Sequence, residues 1–197
     1  MELKKLLVGM ENYKTKGDEE IDIKKVECNS KKVVPNSLFV AIKGFDFDGH
    51  EYVAEAIENG ATAVMLDMSA DFKKIKIPNG VTVIITDDTR KALARVSCNF
   101  YGNPSRYFKL IGVTGTKGKT TTTFMIKEIL EKAGHKVGLI GTIAIYIGDN
   151  KVKNSERTTP ESNKLQEILS KMYDLGVEVV VMEVSSQGLM LHRTAGI

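Results

Sequence analysis

Short apolar runs alternate with amphipathic segments along most of the chain. Residues 38–42, 63–66 and 81–85 are apolar runs of strand length, and residues 50–58 and 89–100 have the apolar spacing of helices with one buried face. Strands that alternate with helices predict an α/β layer fold.

The run YGNPS at residues 101–105 interrupts this alternation with Gly, Asn and Pro, which favour turns. We place a domain boundary there and expect one domain at 1–105 and a second at 106–197.

The second domain repeats the alternation of strands and helices. We predict strands at 110–113, 137–147 and 177–184, helices at 120–133 and 161–175, and a polar loop at 148–160. The first helix is expected to turn one apolar stripe inward, formed by Met125, Ile126, Ile129, Leu130 and Ala133. This order of elements is that of half a parallel sheet.

Composition excludes several classes of protein. Of 197 residues, 42% are hydrophobic and 27% charged, and the net charge of +3 is too small to indicate nucleic acid or a membrane surface. No apolar stretch is long enough to span a bilayer. Cys28 and Cys98 lack the spacing of a metal site and fit a reducing compartment. We expect a cytoplasmic protein that neither binds nucleic acid nor inserts into a membrane.

Residues 112–122, GVTGTKGKTTT, follow a predicted strand and precede a predicted helix. This is the setting of a phosphate-binding loop, where backbone N–H groups and a helix N-terminus face an anion. The strict pattern GxxxxGK followed by Ser or Thr is missed by one position, because Val113 stands where the first glycine belongs.

The residue types in this loop nevertheless suit a nucleotide. Gly115 and Gly118 permit an unusual backbone, Lys119 supplies a charge for the β- and γ-phosphates, and Thr120 offers a hydroxyl to Mg²⁺. A solvated turn with an incidental GKT is the alternative.

Glu183 ends the apolar run VVVME at the predicted carboxyl end of a parallel strand. Ligand sites of such sheets form at those ends, and a carboxylate there can hold Mg²⁺ directly or through water. An acid that faces solvent is the alternative. The TTP run at 158–160 can be explained simply as the start of a helix. Ser185 and Arg193 carry no specific signal alone.

Several stretches together resemble the Mur ligase family. They are GVTGTKGKTTT, GLIGT at 138–142, TTP at 158–160 and MEVSSQGL at 182–189. Residues 28–65 resemble the family's uridine-binding N-terminal domain. The resemblance extends from about residue 21 to the end of the chain. TTP followed by EVSS is most similar to the MurE type, and the MurF type is the alternative within the family.

The resemblance implies a Rossmann-like, uridine-binding N-terminal domain followed by the start of a P-loop-type parallel-sheet ATPase domain. It also implies an ATP-dependent amide ligase of peptidoglycan precursor synthesis, which adds a third amino acid to UDP-MurNAc-L-Ala-D-Glu through an acyl phosphate. We therefore expect ATP and Mg²⁺ as cofactors, UDP-MurNAc-dipeptide and an amino-acid acceptor as partners, and a monomer.

Family roles transfer to matching positions of this sequence. The residues expected to bind ATP are Gly115, Thr116, Lys117, Gly118, Lys119, Thr120 and Thr121. The expected magnesium ligands are Thr120 and Glu183, and the expected catalytic residues are Lys119 and Glu183. The residues expected to contact UDP-MurNAc-dipeptide are Ser30, Thr158, Thr159, Ser185 and Arg193.

The chain also departs from the family pattern. Lys31 stands where arginine is common, which removes a bidentate donor, and Gln187 stands where histidine is common and cannot titrate. Family members continue with a carbamylated lysine and a C-terminal domain that recognises the incoming amino acid. We expect this chain to be truncated within the central domain and unable to ligate alone, with its acceptor undetermined.

Two alternatives from other classes stay open. A nucleotide-binding switch is one, although no guanine-reading NKxD element occurs in these residues. A uridine-nucleotide-binding module is the other, since the first half is the more nearly complete domain. Separate titrations with Mg·ATP and UDP-MurNAc-dipeptide distinguish them.

Overall fold

A computed structural model describes all 197 residues, which form two compact units, Met1–Phe100 and Tyr101–Ile197. The division lies at the start of the turn-rich segment in which the sequence placed a boundary at residue 105. Each unit contains one five-stranded sheet together with helices. The predicted α/β class is confirmed.

The sheet of the first unit is mostly parallel. Its strands are β1 (Tyr13–Lys16), β2 (Lys25–Glu27), β3 (Ser37–Val40), β4 (Ala61–Asp67) and β5 (Thr82–Thr86), in the spatial order β1-β5-β4-β3-β2. Only β1 runs antiparallel to its neighbour. The helices are α1 (Leu3–Leu6), α2 (Val53–Glu58) and α3 (Thr89–Phe100).

Strands β3 and β4 are buried on both faces over residues 38–40 and 63–66, which explains why these stretches are continuously apolar rather than alternating. Val40 and Met65 belong to one core with Leu93 of α3. Phe39 and Val64 belong to a second core, which includes residues of α2. Helices on both faces therefore hold these central strands.

The sheet of the second unit combines a parallel part with an antiparallel extension. Its strands are β6 (Lys109–Val113), β7 (Val137–Ile140), β8 (Ala144–Ile147), β9 (Asn150–Asn154) and β10 (Val179–Glu183), in the order β6-β10-β7-β8-β9. Strands β6, β10 and β7 are parallel, and β8 and β9 are antiparallel to their neighbours. The helices are α4 (Lys119–Lys132), α5 (Ser162–Asp174) and α6 (Ser186–Met190). Strand β6 is an edge strand that pairs only with β10.

The predictions of one strand at 137–147 and a loop at 148–160 were both wrong in part. Residues 137–147 form two antiparallel strands, β7 and β8, because the chain reverses at residues 141–143. The loop predicted at 148–160 contains β9, whose residues are all exposed. This strand is held by its pairing with β8 rather than by burial, so it carries no apolar pattern.

Helix α4 buries a different face from the predicted one. Thr123 and Lys127 are its buried residues, whereas Met125 and Ile129 of the predicted inward stripe are 61% and 67% exposed. Burial of the Lys127 ammonium is tolerated because it pairs with the Glu131 carboxylate at 2.5 Å. Of the remaining stripe residues, Ile126 and Leu130 are half-buried and Ala133 is exposed, so the predicted face is only partly covered.

Helix α5 behaves as its periodicity predicts. Leu165, Leu169 and Met172 pack in one core with Val180 and Met182 of β10. No helix in either unit combines the length and hydrophobicity that a bilayer crossing requires.

Candidate functional site

The predicted phosphate loop connects an edge strand to a helix. Strand β6 ends at Val113 and α4 begins at Lys119. Between them, Gly115 has φ +147° and Gly118 has φ +81°, values that residues with a side chain rarely adopt. No side chain caps the N-terminus of α4, so its first N–H groups stay available to an anion.

Lys119 folds back over this loop. Its Nζ donates a hydrogen bond to the carbonyl oxygen of Gly115 at 2.7 Å. The ammonium is thereby held against the glycine loop. Thr116, Lys117 and Thr121, also expected to bind nucleotide, are exposed on the loop and on the first turn of α4.

Glu183 lies opposite Val113 in the pairing of β10 with β6, and it is 1% exposed. Its Oε2 accepts hydrogen bonds from the hydroxyls of Thr120 and Thr142, both at 3.0 Å. Its Oε1 accepts the backbone N–H of Thr142 at 2.9 Å. Such donors offset the cost of burying a carboxylate, and they join the end of β10 to the phosphate loop.

Two residues that neighbour this carboxylate, Gly141 and Thr142 of the GLIGT stretch, were assigned no role from the sequence. A Cβ atom at Gly141 would overlap Oε1 of Glu183, so a side chain at that position would displace the carboxylate. Thr142 makes two of the three contacts described above. Both residues directly follow β7, which lies beside β10. The rule that singled out Glu183 did not reach Thr142, because the sequence predicted one strand over residues 137–147 and so placed Thr142 inside it.

Thr158 and Thr159 reach the same edge of the sheet from the loop before α5. The Thr159 hydroxyl donates to the backbone carbonyl of Glu183 at 3.1 Å. Its oxygen accepts the backbone N–H of Ser185 at 2.9 Å and lies 3.2 Å from the Ser185 hydroxyl. The hydroxyls of Thr158 and Thr142 are 3.0 Å apart.

Ser185 is also the N-cap of the short helix α6, because its hydroxyl oxygen accepts a hydrogen bond from the backbone N–H of Gly188 at 3.0 Å. Gly188 packs against Thr159 so closely that a Cβ atom there would lie 2.8 Å from the Thr159 side chain. The structure therefore brings four predicted positions together at one sheet edge, Thr120, Glu183, Thr159 and Ser185, and links Thr158 to them through Thr142.

Arg193 is buried rather than displayed at the surface. It is 6% exposed, its Nη1 donates to the carbonyl oxygen of Thr159 at 3.3 Å, and its Nε lies 3.4 Å from Oε2 of Glu161. The guanidinium thus holds both ends of the segment from Thr159 to Glu161. Sequence reasoning did not identify Glu161 as its partner.

Ser30 lies in the first unit, at the start of a 3₁₀ turn after β2. It is 6% exposed, and its hydroxyl donates to Oε2 of Glu55 at 2.5 Å. The side-chain amide of Asn59 donates to the Ser30 carbonyl at 3.0 Å. These contacts fix Ser30 against α2 and the residue that follows it.

Comparison with protein families matches both units. The Mur ligase middle domain matches residues 113–197, and the domain described as "Mur ligase family, catalytic domain" matches residues 22–101.

Curated relatives match the chain over almost its whole length. The UDP-N-acetylmuramoyl-L-alanyl-D-glutamate–2,6-diaminopimelate ligase of Clostridium botulinum is 48% identical over 197 residues, and that of Caldanaerobacter subterraneus subsp. tengcongensis is 49% identical over 193 residues. These matches cover 100% and 98% of this chain, but 40% and 39% of the relatives. The chain thus spans about 40% of the length of the curated relatives it matches.

Solved structures of the same group share the fold. A UDP-N-acetylmuramoyl-L-alanyl-D-glutamate–2,6-diaminopimelate ligase aligns with a TM-score of 0.77 at 21% identity, over 100% of this chain and 38% of its own. The MurF ligase of Thermotoga maritima in complex with ADP aligns with a TM-score of 0.50 at 28% identity, over 82% of this chain and 32% of its own. With domains of one family matched in both units and a shared fold, this chain belongs to the Mur ligase family.

Proposed function

We propose that this chain belongs to an ATP-dependent amide-bond ligase of the MurE type, which adds a third amino acid to UDP-MurNAc-L-Ala-D-Glu. The hydrogen bond between Thr120 and Glu183 carries the proposal, because it joins the phosphate loop to the edge where Thr158, Thr159 and Ser185 lie. A ligase that activates a carboxylate with ATP must bring the transferred phosphoryl group and that carboxylate to one point. The names of the relatives support the same assignment.

The phosphate loop would hold the nucleotide. Residues 115–121 offer backbone N–H groups and the N-terminus of α4 to the phosphates. Lys119 would exchange its bond to the Gly115 carbonyl for the β- and γ-phosphate oxygens. Phosphoryl transfer depends mainly on positioning and on neutralising charge, which a lysine and a helix N-terminus both provide.

The oxygen atoms around Glu183 suit Mg²⁺. The Thr120 hydroxyl and the Glu183 carboxylate are hard oxygen donors only 3.0 Å apart, and Mg²⁺ commonly takes one or two protein oxygens together with phosphates and water. When bound, Mg²⁺ would neutralise charge on the phosphate oxygens. The Thr142 backbone N–H and the close approach of Gly141 would hold the Glu183 carboxylate in one orientation for the metal.

UDP-MurNAc-dipeptide would lie against the hydroxyls of Thr158, Thr159 and Ser185. We assign Arg193 to this ligand as well, because a planar guanidinium suits a phosphate or a carboxylate. We assign Ser30 to the uridine end, where its hydroxyl oxygen can accept a hydrogen bond while its proton is donated to Glu55.

The proposed reaction has two steps. An oxygen of the dipeptide carboxylate attacks the γ-phosphorus of ATP, the bond from that phosphorus to the β–γ bridging oxygen breaks, and ADP leaves. The amine of the incoming amino acid then attacks the carboxyl carbon, and the C–O bond to phosphate breaks as the amide forms. Lys119 would neutralise charge on the phosphates during the first step. By the names of the relatives, we propose 2,6-diaminopimelate as the amine.

Isothermal titration calorimetry of the 197-residue chain tests the nucleotide part of this proposal. We expect ATP to bind in the presence of Mg²⁺, and Lys119→Ala to weaken this binding by about tenfold or more because a charged hydrogen bond is lost. Lys132→Ala is the matched control, since Lys132 is an exposed lysine at the other end of α4. Lack of Mg·ATP binding, or equal loss in both variants, would contradict the proposal. Binding of UDP-MurNAc-L-Ala-D-Glu alone would instead favour a uridine-nucleotide module.

A further inference from the structure

We propose that Thr142 is a positioning residue that couples the nucleotide side of the site, at Glu183, to the Thr158–Thr159 loop. The proposal rests on the proposed function, because it concerns the same two ligands. It adds Thr142 to the site. The effect that it assigns to Thr142 can be measured, because the affinity for UDP-MurNAc-dipeptide should depend on whether the magnesium nucleotide is bound.

Thr142 contacts both oxygens of a single carboxylate. Its backbone N–H reaches Oε1 of Glu183 at 2.9 Å, and its hydroxyl reaches Oε2 at 3.0 Å. Two donors from one residue fix the rotation of the carboxylate group as well as its place. Thr120 shares Oε2 but makes only one contact, so Thr142 contributes more to the orientation of Glu183.

The Thr142 hydroxyl faces two acceptors. It is placed to donate to Oε2 of Glu183 and to the hydroxyl oxygen of Thr158, each at 3.0 Å. A hydroxyl has one proton, so it can serve only one of them at a time, and the charged carboxylate is the stronger acceptor. The carboxylate and the Thr158–Thr159 loop therefore compete for the same proton.

This competition predicts the sign of the coupling. A cation bound beside Glu183 would draw electron density from Oε2 and weaken it as an acceptor, so the Thr142 hydroxyl would turn to Thr158. Hydrogen bonds in a chain polarise one another, so the Thr158 hydroxyl would then be a better donor to the second ligand. Binding of the magnesium nucleotide should therefore strengthen binding of that ligand.

The second connection between the loop and Glu183 does not involve Thr142. Thr159 donates to the backbone carbonyl of Glu183, which stays in place whatever the carboxylate binds. Thr142→Val therefore removes only the path through the hydroxyl. The backbone N–H that holds Oε1 remains, valine has nearly the same shape, and residue 142 is exposed, so no core cavity forms.

The experiment measures the affinity for UDP-MurNAc-L-Ala-D-Glu by calorimetry, with and without saturating Mg·AMPPNP. We expect the nucleotide to tighten this binding by about fivefold or more in the unaltered chain, the lower end of typical coupling between sites. Thr142→Ser keeps the hydroxyl and should keep the coupling. Thr142→Val should reduce it to less than about twofold.

A second variant tests the same link from its other end. Thr158→Val should lose the coupling as Thr142→Val does, and the double variant should lose no more than either single one, as expected for residues that act as a pair. Circular dichroism and a thermal melt will show whether each variant folds, and if one single variant does not, the coupling measured in the other still tests the link.

Three outcomes would overturn the inference while leaving the proposed function standing. They are coupling that persists in Thr142→Val, loss in Thr142→Ser as complete as in Thr142→Val, and binding of both ligands to the unaltered chain without coupling. Failure of the unaltered chain to bind Mg·AMPPNP is a different result, since it contradicts the proposed function itself.

Discussion

Thr120 and Glu183 are 63 positions apart in the chain, yet the hydroxyl of one lies 3.0 Å from the carboxylate of the other. The contact arises because β6 and β10 are neighbours with Val113 opposite Glu183, and the loop after Val113 leads directly into α4. The phosphate loop and the acidic strand end therefore belong to one site.

Replacing Glu183 by glutamine tests the role of its charge. The amide keeps the size of the side chain but gives Mg²⁺ a neutral oxygen in place of a carboxylate. We expect the Kd for Mg·ATP to rise by about tenfold or more, and binding of ATP in EDTA to change little. Glu178→Gln is the control, because Glu178 is an exposed acid just before the same strand. An unchanged Kd for Mg·ATP in Glu183→Gln would exclude a metal role for this carboxylate.

Gly141→Ala tests whether the carboxylate needs its present position. The added Cβ would overlap Oε1 of Glu183, so we expect a loss of about 1–3 kcal/mol in the free energy of unfolding, typical of overpacking, together with weaker binding of Mg·ATP. Urea denaturation measures the first effect and calorimetry the second. In the control Gly112→Ala, the added atom would meet only a Val184 methyl group, at 3.3 Å. Equal stability losses in the two variants would argue against a specific clash.

Arg193 and Arg157 provide a matched pair, because each has a guanidinium nitrogen 3.4 Å from Oε2 of Glu161. Their side chains are 7% and 56% exposed. Arg193→Ala removes a buried ion pair and the bond to the Thr159 carbonyl and leaves a gap in the interior, so we expect it to lower the free energy of unfolding by about 3 kcal/mol. Arg157→Ala should change it by less than about 1 kcal/mol. Urea denaturation of both variants decides the matter, and similar losses would contradict the expected difference.

His50 connects two parts of the first unit. Its Nδ1 lies 2.6 Å from Oδ1 of Asp48, and its Nε2 accepts the backbone N–H of Asp67 at 3.0 Å, which places the ring proton on Nδ1. Burial raises the pKa of Asp48, but hydrogen bonds from the backbone and ring of His50 outweigh it, so the pKa lies below its ordinary value of 3.8.

This lowered pKa predicts how stability depends on pH. Ionised Asp48 stabilises the fold above its ordinary pKa of 3.8, and this contribution disappears as the pH falls through the lower value of the folded state. We expect Asp48→Asn to be less stable than the unaltered chain at neutral pH, with a difference that shrinks below about pH 4. Urea midpoints between pH 7 and pH 3 measure it, and Asp46→Asn in the same loop is the control. A difference that stays constant over this range would contradict the prediction.

Much of the fold was predictable where the spacing of apolar residues and the turn-favouring residues indicate the same element boundaries. Helix α3 occupies Thr89–Phe100 as predicted, and α4 begins at Lys119 and ends at Lys132, one residue earlier than predicted at each end. The strand, the glycine loop and the helix are all local features, so the sequence alone indicated the phosphate loop.

Features that depend on distant partners were not predictable in the same way. Periodicity shows that Met125 and Ile129 share a face of α4, but not whether the chain places anything against that face. Arg193 had no local signal, because its burial depends on Thr159 and Glu161 in a separate loop. Thr142 follows a strand whose neighbour in the sheet is known only once the strand order is known.

The position of β6 at the edge of its sheet has a consequence for the backbone motions of the second unit. Strand β10 is secured by ladders on both sides, whereas β6 is secured by one. Amides of β6 that point away from β10 exchange with solvent without any opening of the sheet, and local opening of β6 breaks a single ladder. The glycines of the phosphate loop therefore follow a strand that is paired on one side, while Glu183 ends a strand that is paired on both.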